Sequence, residues 1–433
     1  MWDLLVLGVT SIAGWFNSFA EPQPKLQPLE VLPWEQSVLF ELPEFNRDRT
    51  SQIIIDNYLQ NLTEKGFDRN RQGIWVQSGW DVSASNLGRI PLPAASLTKI
   101  ATTLAALDKW GAKHQFVTDI YFTGEIDRGI VTGDLIIKGT GDPLFVWEEA
   151  IALGNTLNQL EIIQIQGNIL VTDKFYMNFE DQSLLAGESL KKALNQDLWN
   201  LPITQQYLQM PVGTKQPNVV ITGEVKAIKQ VPSNAKQLIR HRSLPLAEVL
   251  RQMNIYSNNK MAQMLADLVG GVNLVAQTSA QIAGFPTAEI ELINGSGLGE
   301  ENRISPYAAC QMLMAIDRLL EPYSYSVADL FPTAGRDLVG TVQDRGLPKG
   351  TIIKTGTLDN VTALAGAIPI KDKPNVYFSI INYGRPVNYF RQQQDNLLNQ
   401  LVQPWNLDPN NFNLAQESNW YLGNPQRNDT DIN

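Results

Sequence analysis

Residues 51–66, SQIIIDNYLQNLTEKG, place apolar side chains at Ile54, Ile55, Tyr58, Leu59 and Leu62, a stripe at helical spacing that Gly66 closes. GIWVQ at 73–77 reads as a strand, and the Ser/Asn-rich SGWDVSASNLG after it as a loop. In LPAASLTKIATTLAALDKW (92–110), Leu97, Ile100, Leu104 and Leu107 recur at helical spacing with Ala101 and Ala105 beside them, which predicts a buried helix. Pro93 suits its start. From about residue 118 the texture changes to short alternating runs, DIYFTG, GDLIIKGTGDP, GNILVTD and NVVITGE, parted by Gly/Asp turns. They predict a small β-rich unit with a helix or two between its strands. LPLAEVLRQMNIYSNNKMAQMLADLV (244–269) restores helical periodicity. TIIKTGTLDNVTALAGAIPIKDKPNVYFSIIN then reads as three consecutive strands, an antiparallel meander turning near Leu358-Asp359-Asn360 and Lys371-Asp372-Lys373-Pro374. The pattern predicts an α/β (α+β) body made of residues 51–118 and 240–405, interrupted by a smaller β-rich insertion at 119–239. The tail, 406–433, is rich in Asn and turn formers and is expected to be disordered or loosely packed.

The first twenty residues carry an apolar stretch from Leu4 to Phe16 and end in Ser18-Phe19-Ala20, a small-x-small cleavage pattern that predicts an export signal and an extracytoplasmic, periplasmic location. Asp3 and the lack of Lys or Arg before the apolar stretch leave open an uncleaved amphiphilic anchor or a different start codon. The stretch is shorter than the roughly 20 apolar residues of a membrane span, and no later one is long enough to predict a span. Residues 21–50, beginning EPQPKLQPLEVLPWEQ, are Pro-rich and read as an extended linker.

Composition narrows the chemistry. A net charge of −10 and a pI near 4.9 argue against nucleic acid, whose phosphates require clustered Lys and Arg. The single cysteine, Cys310, allows no intramolecular disulfide, and its setting SPYAACQMLMAI reads as an apolar helix with the thiol buried. The two histidines, His114 and His241, are far apart in sequence and have no second cysteine to join them, so neither a zinc site nor a His-based triad is predicted, and no cofactor is expected.

Ser-x-x-Lys occurs four times, at Ser96/Lys99, Ser189/Lys192, Ser233/Lys236 and Ser257/Lys260. Only the first opens a buried helix. There Ser96 lies in the first turn, where free N–H groups and the helix dipole favour a developing oxyanion, and Lys99 is one turn on. A lysine near a buried helix start has a depressed pKa if a second cation is close, and only its neutral form can take the serine proton. Lys354 is the candidate for that second cation. Ser257-Asn258-Asn259 and Lys354-Thr355-Gly356 are each unique in the chain. Alone, the former reads as a helix cap or turn and the latter as a strand with a bulge whose glycine permits close backbone approach. An edge strand of that kind can also dock a peptide.

Together the three motifs stand in the order of penicillin-binding proteins and serine β-lactamases. With GDLIIKGTGDPLF (133–145), RHRSLPLAEVLRQMNIYSNNKMAQML (240–265), NGSGLGEENRISP (294–306) and KTGTLDNVTALAG (354–366), the chain resembles the D-alanyl-D-alanine carboxypeptidase/endopeptidase family, the class C low-molecular-mass penicillin-binding proteins, over roughly residues 50–400. The resemblance implies a transpeptidase-like fold, an antiparallel sheet flanked by helices with an inserted domain. It implies that Ser96 forms the acyl-enzyme, Lys99 is the general base, Ser257 relays a proton to the leaving D-alanine and Asn259 holds the peptide amide. Lys354 and Thr355 would receive the terminal carboxylate, Gly356 would let the substrate lie against the strand, and the N–H groups of Ser96 and Thr357 would form the oxyanion hole. Implied partners are peptidoglycan stem peptides, with β-lactams as covalent inhibitors. The stretch from Ser96 to Ser257 is shorter than is typical of that family, whose members carry two inserted domains there. A β-lactamase, a non-catalytic wall-binding protein and a cytoplasmic serine hydrolase remain the alternatives.

Overall fold

The alternating segments build a five-stranded antiparallel sheet. Its strands are β1 (Gln72–Ser78), β2 (Asp81–Asn86), β3 (Ile352–Leu358), β4 (Val361–Ile368) and β5 (Val376–Tyr383), in the spatial order β3-β4-β5-β1-β2. The computed structural model describes residues 49–408 and 420–431. The expected signal at 1–20 and all but the end of the expected linker lie outside the described residues.

Strand β2 lies where a loop was expected. Only Val82 and Ala84 alternate inward on it, a run too short and too rich in serine to show as a strand, and pairing with β1 supplies the missing stabilisation. The pleat sends successive side chains to opposite layers. Ile352, Ala363, Ala365 and Ile381 face a core shared with helices α2 (Thr98–Trp110), α3 (Leu246–Ile255), α4 (Asn259–Val269) and α5 (Pro306–Leu320). Ile353, Leu364, Phe378 and Ile380 face helices α1 (Arg49–Glu64) and α6 (Val387–Leu401). Each such side chain contributes roughly 1.5–3 kcal/mol on burial. Strand β4 is buried at all its positions, as a strand covered on both faces must be. At the other end of the order, β3 is an edge strand.

Between α2 and α3 the chain forms a second sheet. The strands Val117–Phe122 and Lys236–Arg242 pair antiparallel, so the segment leaves and re-enters side by side. Leu135–Gly139, Ile169–Val171 and Val225–Ala227 are mutually parallel neighbours. Parallel strands need crossovers, and helices Trp147–Gln159, Ser183–Ala193 and Leu201–Tyr207 lie along these connections. The segment is thus more helical than its strand-like texture suggested. Ala150, Leu153 and Leu157 of the first crossover join Ile137, Val171 and Ile239 in a separate core.

The expectation of a loose tail is corrected at residues 420–431. Asn428–Asp429 pairs antiparallel with Arg240 and His241, adding a last strand to the second sheet. Arg427 forms a buried ion pair with Glu149. Asn428 donates to Thr156 Oγ1 at 2.8 Å, and its Oδ1 meets His241 Nδ1 at 2.7 Å. The polar residues that read as turn formers here satisfy buried partners. No described helix is long and apolar enough to cross a membrane.

Candidate active site

A short 3₁₀ turn, Ala95–Leu97, precedes α2 and carries Ser96. Ala95 adopts φ 47°, a left-handed conformation that costs an L-residue roughly 1–2 kcal/mol. That turn is wedged against β3: a Cβ on Gly356 would come within 3.0 Å of Ala94 O, Ala95 Cβ and Ser96 N. A side chain there would require the turn or the strand to give by a few tenths of an ångström, so glycine suits this close approach of the edge strand to the serine.

Lys99 follows in the first turn of α2 and is fully buried. Its Nζ donates to Ser96 Oγ at 3.0 Å, to Asn259 Oδ1 at 2.7 Å and to the Ser296 carbonyl at 2.7 Å. Three acceptors match the three N–H bonds of an ammonium. Burial lowers its pKa from 10.5 to about 7. A neutral amine keeps two N–H bonds, which satisfy the two shorter contacts and leave its lone pair for the Ser96 hydroxyl. The pair can therefore exchange a proton without rearranging its frame.

The helical run at 244–269 is broken where chemistry was expected. Helix α3 ends at Ile255, Ser257 takes φ 51°, and Asn258 caps α4 by accepting from Met261 N at 3.1 Å. The break turns Ser257 towards Lys354, whose Nζ donates to Ser257 Oγ at 3.0 Å and to the Thr355 carbonyl at 3.0 Å. Asn259, first in α4, reaches Lys99. Lys354 is fully buried, and burial together with the Lys99 charge holds its pKa well below the usual lysine value. The expectation that Lys354 depresses Lys99 is corrected: burial sets Lys99, and the influence of one lysine on the other falls on Lys354 instead.

All three motifs converge: Ser96, Lys99 and Asn259 on one bonded cluster, Ser257 and Lys354 on a second, and Gly356 against Ser96 N. Thr355 and Thr357 continue along the edge strand, with Thr357 exposed at the mouth of an open cleft of about 580 Å³ lined also by Leu298, Glu300 and Asp359.

The loop Asn294–Leu298 was not foreseen as part of the site. Asn294 Oδ1 accepts from the backbone N–H groups of Ser296, Gly297 and Leu298 and from Ser296 Oγ, a wrap that aims the Ser296 carbonyl at Lys99. Asn302, fully buried, accepts from Ile293 N and Asn294 N and gives its carbonyl to Ala94 N. The loop and the Ser96 turn are thereby tied together. Asn-Gly-Ser-Gly announces a turn, but a carbonyl ligand carries no residue-type signature.

The model of the D-Ala-D-Ala carboxypeptidase 3 (S13) family matches residues 56–197 and 212–403. A D-alanyl-D-alanine carboxypeptidase of Haemophilus influenzae is 29% identical over 189 residues, 40% of this chain and 37% of that protein, so the chain spans under half the length of this curated relative. Among solved structures, a predatory endopeptidase of Bdellovibrio bacteriovorus in complex with an immunity protein matches with a TM-score of 0.66 at 21% identity, covering 77% of this chain and 92% of that one. Penicillin binding protein 4 of Haemophilus influenzae matches with a TM-score of 0.61 at 19% identity, covering 79% and 99%. These likenesses show the penicillin-binding fold that the motif order implied. The family match extends over more than half of the residues, and the chain belongs to the D-Ala-D-Ala carboxypeptidase 3 (S13) family.

Proposed function

We propose that the chain is a serine-type D-alanyl-D-alanine carboxypeptidase, with DD-endopeptidase action on cross-linked stems as the same chemistry on a larger leaving group. The observation that carries the reading is the buried Lys99, bonded at once to Ser96 Oγ, Asn259 Oδ1 and the Ser296 carbonyl. Such a lysine is poised as a base at neutral pH.

In this reading Ser96 Oγ attacks the penultimate D-alanine carbonyl while its proton passes to Lys99. The N–H groups of Ser96 and Thr357 hold the oxyanion. The C–N bond then breaks as Ser257, held by Lys354, passes its proton to the leaving amine and takes up the one that Lys99 received from Ser96, which returns Lys99 to the neutral amine. Asn259 receives the peptide amide, and Lys354 with Thr355 receives the terminal carboxylate, a charge-assisted contact. Water, deprotonated by Lys99, attacks the ester, and Lys99 returns that proton to Ser96 Oγ as its bond to the acyl carbon breaks. No metal or cofactor has a part. Residues 51–118 and 240–405 form the peptidase body in this reading, residues 119–239 an insertion, and the protein acts on peptidoglycan outside the cytoplasmic membrane.

Incubation of the protein with a labelled penicillin, followed by peptide mass spectrometry, tests the assignment. A stable adduct on Ser96 that is lost in Ser96→Ala and reduced by roughly 10²–10⁴-fold in rate in Lys99→Ala is expected. Fast drug turnover without an adduct would favour a β-lactamase, and no reaction a binding protein.

A further inference from the structure

Helix α6 sends a cation to the edge strand that none of the three motifs contains. Arg391 Nη2 donates to Thr357 Oγ1 at 2.9 Å, and Nη1 donates to Asn388 Oδ1 at 3.3 Å. Because the Thr357 oxygen accepts from the guanidinium, its own hydrogen points elsewhere, available to an acceptor that enters the cleft. The guanidinium keeps further N–H groups in its planar fork, a geometry matched to a carboxylate. Among the described residues no ion pair includes Arg391, whereas Arg385, in the loop before α6, is paired with Asp359 at 3.2 Å. The cleft's other acid, Glu300, is engaged by Tyr383 OH at 2.9 Å and Asn360 Nδ2 at 3.1 Å. Arg391 is thus a charge without a countercharge, fixed on an exposed threonine of the docking strand.

The motif lysine is poorly placed to supply that charge alone. Lys354 is fully buried, already holds Ser257 and the Thr355 carbonyl, and has its ammonium form disfavoured by burial and by Lys99. We propose that Arg391, acting with the Thr357 hydroxyl, is a specificity residue that binds the carboxylate on the leaving-group side of the scissile bond. The inference rests on the DD-peptidase reading. It extends to cross-linked substrates whose leaving amine sits on a carbon bearing a carboxylate, and it disfavours leaving groups without one.

The test uses two thioester-activated stem analogues, one ending in a free carboxylate and one in the primary amide, with acylation of Ser96 followed by intact-protein mass spectrometry. Wild type should prefer the acid. Arg391→Ala should lower kcat/KM for the acid by roughly 10- to 100-fold, mainly through KM, while changing the amide less than about twofold. Arg391→Lys should recover part of the loss, and the melting temperature should not move. Equal effects on acid and amide, or no effect on either, would overturn the inference with the site intact. Failure of wild type to be acylated by either analogue would overturn the DD-peptidase reading itself, and this inference with it.

Discussion

In the proposed mechanism the state of one amine decides when the site can act. Lys99 faces a hydroxyl, an amide oxygen and a carbonyl, none of which carries a charge that would hold the ammonium form, so burial dominates and brings its pKa to about 7. In the proposed mechanism the base is the neutral amine. The second-order rate of Ser96 acylation by a penicillin should therefore fall about tenfold per pH unit below 7 and level off above it. A rate profile from pH 5 to 9 checks this, and a flat profile would mean that another group takes the proton. Ser96, Lys99, Ser257, Asn259 and Lys354 were legible because side-chain chemistry at short spacing leaves a mark in the sequence. The Ser296 carbonyl and the Arg391–Thr357 contact left none: the first is backbone, and the second joins residues 34 positions apart on a strand and a helix.

Periodicity located the elements but not their breaks. The stripe through 244–269 predicts helix without showing that α3 stops and α4 restarts, because Tyr256, Ser257 and Asn258 interrupt it too briefly. The interruption is stabilised by the Asn258 cap and by Asn258 N donating to Met253 O at 2.9 Å. A more severe constraint lies at Gly297, in the loop that aims the Ser296 carbonyl. Its φ is 86°, and a Cβ there would lie 1.8 Å from Ala95 O and 2.8 Å from Thr98 Oγ1. The obstacle is backbone of the Ser96 turn, which cannot swing aside as a side chain can. Gly297→Ala should therefore push the loop off the turn, lowering stability by about 2 kcal/mol or more and Ser96 acylation by at least roughly 10²-fold in the protein that still folds. Urea unfolding and penicillin labelling measured on the same preparation check both effects. Unchanged labelling would show that the loop does not position the pair.

For the molecule as a whole, the contact least visible in the sequence is the one that residues 420–431 make with the second sheet. Strands β1, β3, β4 and β5 and the helical segments that include α2, α3 and α4 could be anticipated from apolar spacing, but β2, helix α6 and the return of residues 420–431 to the second sheet could not; in the last of these, Asn, Asp and Arg ordinarily signal solvent. The return is held by charge as well as by strand pairing. Glu149 is buried with its pKa raised to about 7 by desolvation and opposed by Arg427, while His241, also buried, has its pKa lowered to about 3 by desolvation and by the same arginine. Asp142, raised to about 6 by burial, also feels Arg427. Removing the guanidinium leaves the Glu149 carboxylate buried without its partner, a change that costs about 3–5 kcal/mol when a buried pair is broken on one side. Arg427→Ala should show a loss of that order in urea unfolding at pH 8. The sign of its pH dependence follows: with Arg427 absent, the Glu149 pKa rises further in the folded state, so the loss should shrink as pH falls and the carboxyl is protonated. Glu149→Gln placed in the Arg427→Ala background should restore much of the stability at pH 8 by removing the unpaired charge. If the double variant were no more stable than Arg427→Ala, the tail would be held by its strand pairing and Asn428 contacts rather than by the ion pair.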